Sequence, residues 1–138
     1  MIKYTDSLLG ITENDLAGFF VGWPHPPSPK THLRILKNSA YVWLAIDEKS
    51  IQVVGFVNAI SDHTLAAYIP LIEVLPAYQF KGIGAELMHR MLATLKDYYM
   101  VDLLCDRQRQ PGYKSLGMTP MTAMMVRNFA NQSGQDEK

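Results

Sequence analysis

The sequence predicts an α+β fold with a mixed, mostly antiparallel central sheet flanked by helices. Three observations point there. Runs rich in β-branched and aromatic residues at 40–46, 51–60 and 64–75 are separated only by turn-like residues, so they pair as antiparallel strands. A strongly periodic helix over 82–98 follows, and then a short apolar strand over 101–105, a spacing that favours parallel neighbours. The chain of 138 residues, 48% hydrophobic and 19% charged, is long enough for one core and excludes a mainly disordered protein.

Taken in order, the elements have local causes. After a short first strand, Thr12 is a good N-cap with Asp15 three residues on, and Leu16, Phe19 and Phe20 supply an apolar helical face. Trp23, Pro24, His25, Pro26 and Pro27 cannot continue a helix, because proline removes a donor and clashes with the preceding turn. Ser28 and Pro29 start a second helix as N-cap and first helical residue, with Leu33 and Leu36 on one face. In the third middle strand Pro70 marks an edge or an irregularity. The long helix repeats Ile83, Leu87, Met88, Met91, Leu92, Leu95 and Tyr98 at three- and four-residue steps. A short helix over 111–116 ends at Gly117, and 118–128 reads as a last strand. Residues 1–129 therefore make a single domain, and 130–138 a polar, disordered tail.

Composition narrows the function. Thirteen basic residues balance thirteen acidic ones, which argues against a nucleic-acid binder. Cys105 is the single cysteine, so no intrachain disulfide forms, and its apolar neighbours make it a small buried hydrophobe. No apolar run is long enough for a membrane helix, and the first residues lack an apolar signal core, so a cytoplasmic setting is expected. His25, His32, His63 and His89 show no metal-ligand spacing, and no metal site is expected.

The chemistry-bearing stretch runs from Ile72 to Ala85, a strand, a tight loop and the start of a helix. Gly82 and Gly84 allow close approach to the backbone, and the free N–H groups and positive dipole end of the helix favour a phosphate. Lys81 adds a cation there, although it also fits an exposed loop lysine. Leu87 stands where a dinucleotide fingerprint needs a third glycine, and no Gly-Lys-Ser/Thr follows, so neither the dinucleotide fingerprint nor the P-loop applies.

Gln79-Phe80-Lys81-Gly82-Ile83-Gly84 resembles the acetyl-CoA motif Gln/Arg-x-x-Gly-x-Gly/Ala of the GNAT acetyltransferase superfamily, and Ile72, Val74 and Pro76 resemble the strand before it. Tyr113 to Met118 is similar to the family's Tyr-x-x-x-Gly-Phe element, with Met in place of the aromatic and Gly112 where a large apolar residue is usual. Phe80 stands where glycine is frequent.

The resemblance implies a GNAT fold with a splayed strand pair and acetyl-CoA as cosubstrate. Ile72 and Val74 would lie beside its pantetheine arm, and Gln79, Phe80, Lys81, Gly82, Ile83, Gly84 and Ala85 would cradle its diphosphate. It implies an N-acetyltransferase in which an amine attacks the thioester directly and Tyr113 acts as general acid. The alternative is a non-catalytic acyl-CoA-binding module of the same fold. A proton must leave an alkylammonium of pKa ~10.4, at a cost of roughly 4–5 kcal/mol at neutral pH. Glu73 is the first candidate for that base and Asp106 the second; equally, Glu73 fits the solvated face of a strand and Asp106 a helix cap. Glu73, Asp62 and Asp106 hint at a cationic acceptor. The loop over 23–29 suits an acceptor pocket or a plain connection, Tyr113 also fits a core tyrosine, and the apolar run over 122–126 suits core or a homodimer interface.

Overall fold

The computed structural model of the chain describes residues 1–134. Five strands form one sheet in chain order: β1 (Ile2–Thr5), β2 (Tyr41–Asp47), β3 (Gln52–Ser61), β4 (Ala66–Val74) and β5 (Met100–Leu103). The first three pairings are antiparallel and β4–β5 is parallel. The expected mixed, mostly antiparallel sheet is thus present. The parallel step follows from the helix α2 (Ile83–Thr94), which carries the chain back before β5 begins. The other helices are α1 (Pro29–Lys37) and α3 (Gln110–Lys114).

Strand β3 sits in the middle, and residues 53–59 along it are all buried. Its two faces meet different partners. A Cβ added at Gly55 would come within 3.0 Å of Leu87 and 3.4 Å of Ile83, so α2 packs on that side. The neighbouring Phe56 points the opposite way, as strand alternation requires, and its ring meets Phe19 and His32. Ile83, Leu87, Met88, Met91 and Leu95 seal the α2 face, while Leu16, Phe19, Phe20, His32 and Leu36 fill the other. α1 starts as its sequence dictates: the Ser28 hydroxyl accepts the Thr31 N–H at 3.1 Å, with Pro29 at the first position.

Three expectations need correction. The first helix is only a 3-10 turn, Glu13–Leu16. The Asp15 carboxylate does accept the Thr12 N–H at 2.7 Å, but Gly18 (φ 91°) and Phe20 (φ 64°) are left-handed and stop the helix. α2 ends at Thr94 rather than Tyr98. Tyr98 still packs on the core through a following turn, and its hydroxyl meets that of Tyr41 at 2.7 Å. Residues 118–128 form no strand. Of the tail expected from residue 130, residues 130–134 run past a short turn (Phe129–Asn131), and the Gln132 side chain accepts the His25 N–H at 2.9 Å. Residues 135–138 lie outside the described residues.

Candidate active site

The site begins where β4 and β5 part. Their pairing runs from Ala66–Met100 to Ile69–Leu103 and stops, while β4 continues to Val74. Pro70 stands at the parting and brings no N–H to a ladder. There β4 also carries one extra residue: Asn58 pairs with Leu71 but Ile60 with Tyr68, so Ala59 is opposed by two residues. A bulge of this kind bends the strand and re-aims it. Leu71 to Val74 stay paired to β3 on one side only, leaving the other edge open to a gap. The irregularity expected at Pro70 is this splay.

From Val74 the chain enters the loop that opens α2. Pro76–Tyr78 makes one 3-10 turn, and the Gln79 amide donates back to the Val74 carbonyl at 3.0 Å. Phe80 and Gly82 are left-handed, at φ 63° and 84°. Gly82 is required by that conformation and not by crowding, since an added Cβ would meet nothing within 4 Å. The positive φ at Phe80 also gives a physical reason for glycine being frequent there, since a left-handed residue with a side chain is strained by about 1–2 kcal/mol. The N–H groups of Ile83, Gly84 and Ala85 have no acceptor among the described residues and lie at the positive end of α2. Lys81 is exposed, 5.6 Å from the Tyr78 ring, and the Tyr78 hydroxyl donates to Asp47 at 2.5 Å, tying the loop to β2. Gln79, Phe80, Lys81, Gly82 and Ala85 are all solvent-accessible, and half-buried Ile72 and Val74 precede them on β4. A row of unpartnered backbone donors thus follows an open strand edge, an arrangement that favours an anion.

Glu73 is placed unlike a solvated strand residue. Its carboxylate accepts the Phe20 N–H at 2.8 Å and the Val21 N–H at 3.3 Å, so β4 holds the loop after the first turn. Behind that loop lies a pocket of about 260 Å³ lined by Leu16, Phe20, Pro26, Pro27 and His32 among others. Part of the 23–29 loop therefore does line a cavity. The His32 ring is buried among Phe19, Phe20 and Phe56, with centroids 4.3–5.3 Å apart, and among the described residues neither ring nitrogen has a hydrogen-bond partner. Burial pushes its pKa down to about 4, so the imidazole is neutral.

Tyr113 lies half-buried on α3 and packs against the core. Burial above all, with the nearby Cys105 thiol, raises its pKa and keeps the phenol protonated, while Arg109 acts weakly the other way. Asp106 is exposed just after β5 and makes no side-chain cap hydrogen bond. Asp62 belongs elsewhere. Its carboxylate accepts the Thr64, Leu65 and Ala66 N–H groups in the turn before β4, which holds it below the ordinary carboxylate range. That turn is separated from Val74 by the whole of β4, some 25 Å or more at about 3.3 Å per residue. Sequence reasoning missed the grip of Glu73 on the loop; its one signal was an acidic residue inside an apolar strand. Among the described residues no group of side chains could hold a metal ion, and no helix is long and apolar enough to cross a membrane.

Open strand edge, glycine loop and free helix start follow one another along the chain, and comparison with known proteins gives the family. The family model described as acetyltransferase (GNAT) family matches residues 8–118, and the chain belongs to this family. A crystal structure of a proposed acetyltransferase from Deinococcus radiodurans R1 is 47% identical, with a TM-score of 0.94, covering 99% of this chain and 94% of that one. A histone acetyltransferase of Glycine max is 31% identical over 109 residues, 70% of this chain and 46% of that protein. A chloroplastic GCN5-related N-acetyltransferase of Arabidopsis thaliana is 40% identical over 68 residues, 48% of this chain and 29% of that protein. The chain thus spans less than half the length of these two relatives. An aminoglycoside N-acetyltransferase in complex with CoA shares the fold at a TM-score of 0.60 and 15% identity.

Proposed function

We propose that the protein is an N-acetyltransferase that moves acetyl from acetyl-CoA to a primary amine by direct attack. The observation that carries this reading is the splay: the β4 edge from Leu71 to Val74 stands open and leads straight to the unpartnered N–H groups of Ile83, Gly84 and Ala85. The edge suits the amides of a pantetheine arm, and the helix start suits a diphosphate. Acetyl-CoA, once bound, supplies an activated thioester; the remaining work falls to the chain. The acceptor enters beside Glu73, between the loop at Phe20 and the splay. Glu73 receives the amine proton, directly or through water, and Tyr113, kept protonated by its surroundings, gives a proton to the departing thiolate.

One observation favours a second reading, a non-catalytic acyl-CoA-binding module. The Glu73 carboxylate already accepts two backbone N–H groups, which suits a structural clamp. Turnover separates the two. CoA-thiol release is measured across pooled small amines, peptide N-termini and lysine peptides, with Tyr113→Phe in parallel and acetyl-CoA affinity by calorimetry. An enzyme releases thiol with one pool, and Tyr113→Phe lowers kcat at least about tenfold with little change in affinity. Bound acetyl-CoA with no release from any pool supports the module.

A further inference from the structure

The aromatic side of the sheet holds a cavity and an unanswered polar group at the same place. The pocket of about 260 Å³ borders Leu16, Phe19, Phe20, Pro26, Pro27 and His32. None of the described side chains that line it is charged. The Ser28 hydroxyl, which also lines it, is already taken: it accepts the Thr31 N–H and bonds the Thr31 hydroxyl at 3.2 Å. His32 is only 1% exposed, and among the described residues neither Nδ1 nor Nε2 has a hydrogen-bond partner. A neutral imidazole carries one N–H donor and one bare nitrogen acceptor, and leaving such groups buried without partners is costly. Phe20 links this cavity to the open β4 edge. It lines the cavity, and its N–H donates to Glu73 at 2.8 Å.

Resting on the acetyl-transfer reading, we propose that this cavity takes the body of the acceptor. The acceptor is then a primary amine with an uncharged, apolar body that bears one hydroxyl or carbonyl for His32. The lining excludes a cationic body, because a second ammonium buried here would lose its water and find no carboxylate. Polyamines and lysine-rich tails are therefore poor acceptors. Size narrows the body further. Pockets for drug-sized ligands run to roughly 300–1,000 Å³, so about 260 Å³ holds a small ring or a short branched chain. A hydroxyl there donates to the bare ring nitrogen of His32 or accepts from its N–H, and either bond answers a group that the fold leaves unmet.

The test has two arms, both on the full chain. In the first, benzyl alcohol, toluene and spermidine are titrated into the wild type while nitrogen NMR follows the His32 ring. Benzyl alcohol gives a saturable shift and spermidine gives none. His32→Leu weakens benzyl alcohol about fivefold and leaves toluene within about twofold, with the Phe20 ring protons as reporter. The wild-type titration stands whether or not the variant folds. In the second arm, kcat/KM for CoA-thiol release with aminomethylcyclohexanol exceeds that with spermidine or a lysine peptide by about tenfold or more. No saturable shift means that water alone fills the cavity and overturns the proposal. So does equal weakening of both probes by His32→Leu, or faster turnover of spermidine or the peptide. Thiol release from no amine, with the His32 signals still responding, overturns the acetyl-transfer reading instead and leaves the cavity as a site for an uncharged group.

Discussion

The two faces of the sheet are closed by different chemistry. On one, α2 presses aliphatic and thioether side chains against β3 so tightly that Gly55 leaves room for little more than a hydrogen toward Leu87. On the other, rings meet edge to face around an imidazole that finds no partner for either nitrogen among the described residues. The first face carries the helix whose start presents unpartnered N–H groups, so close packing there fixes their positions. The second face carries the loop that Glu73 pins, and it holds a cavity and a titratable group. A close-packed side and a less completely satisfied side follow from which residues fill each face.

The largest expected effect breaks the first face. Leu87→Ala opens a cavity under Gly55 and destabilises by about 2–5 kcal/mol at every pH, as urea unfolding would read. If the loss is under about 1 kcal/mol, the face is not close-packed. Next comes acid on the second face. Unfolded His32 takes a proton near pH 6.5 and folded His32 only near 4, so in that window the unfolded state binds more protons. Stability is fully present above pH 6.5 and falls by on the order of 3 kcal/mol as the pH drops to 4. His32→Leu should remove that slope, and parallel pH–stability curves for the two proteins would count against a buried, unpaired imidazole.

A smaller effect sharpens the comparison at the loop. Glu73→Ala removes two hydrogen bonds to a carboxylate and should cost about 2 kcal/mol, with faster amide exchange at Phe20 and Val21. Exchange unchanged at both amides would mean that Glu73 does not hold the loop. The smallest effect lies on the cradle. A Cβ at Gly84 meets only Val74, at 3.7 Å, an ordinary contact. Gly84→Ala should stabilise the fold by about 0.5–1 kcal/mol and leave acetyl-CoA affinity within about threefold, the latter checked by calorimetry.

Much of this was legible because its causes are local. Proline at 70, the helical period after Gly82 and the Ser28–Pro29 start each act within a few residues, so the middle strands, the irregularity in β4, α1 and the start of α2 could be read off the chain. The readings that failed were those with distant causes. The stretch over 118–128 has strand composition, but strand preference is a fit to a half-buried surface beside a partner, and no strand of the described chain lies beside it. The helix expected over 12–20 has its capping residues, yet Gly18 and Phe20 turn left-handed as the loop closes toward Glu73.

The sequence by itself therefore determined the order of the elements, the irregularity of β4 at Pro70 and the glycine-led start of α2, since backbone geometry and periodicity act between near neighbours. Only the tertiary structure decided that Glu73 clamps a loop 53 residues away, that His32 is buried neutral among three phenyl rings, and that residues 118–128 form no strand. Those outcomes depend on which surfaces meet across the fold, and the free energy of such a meeting is written in no single stretch of the chain.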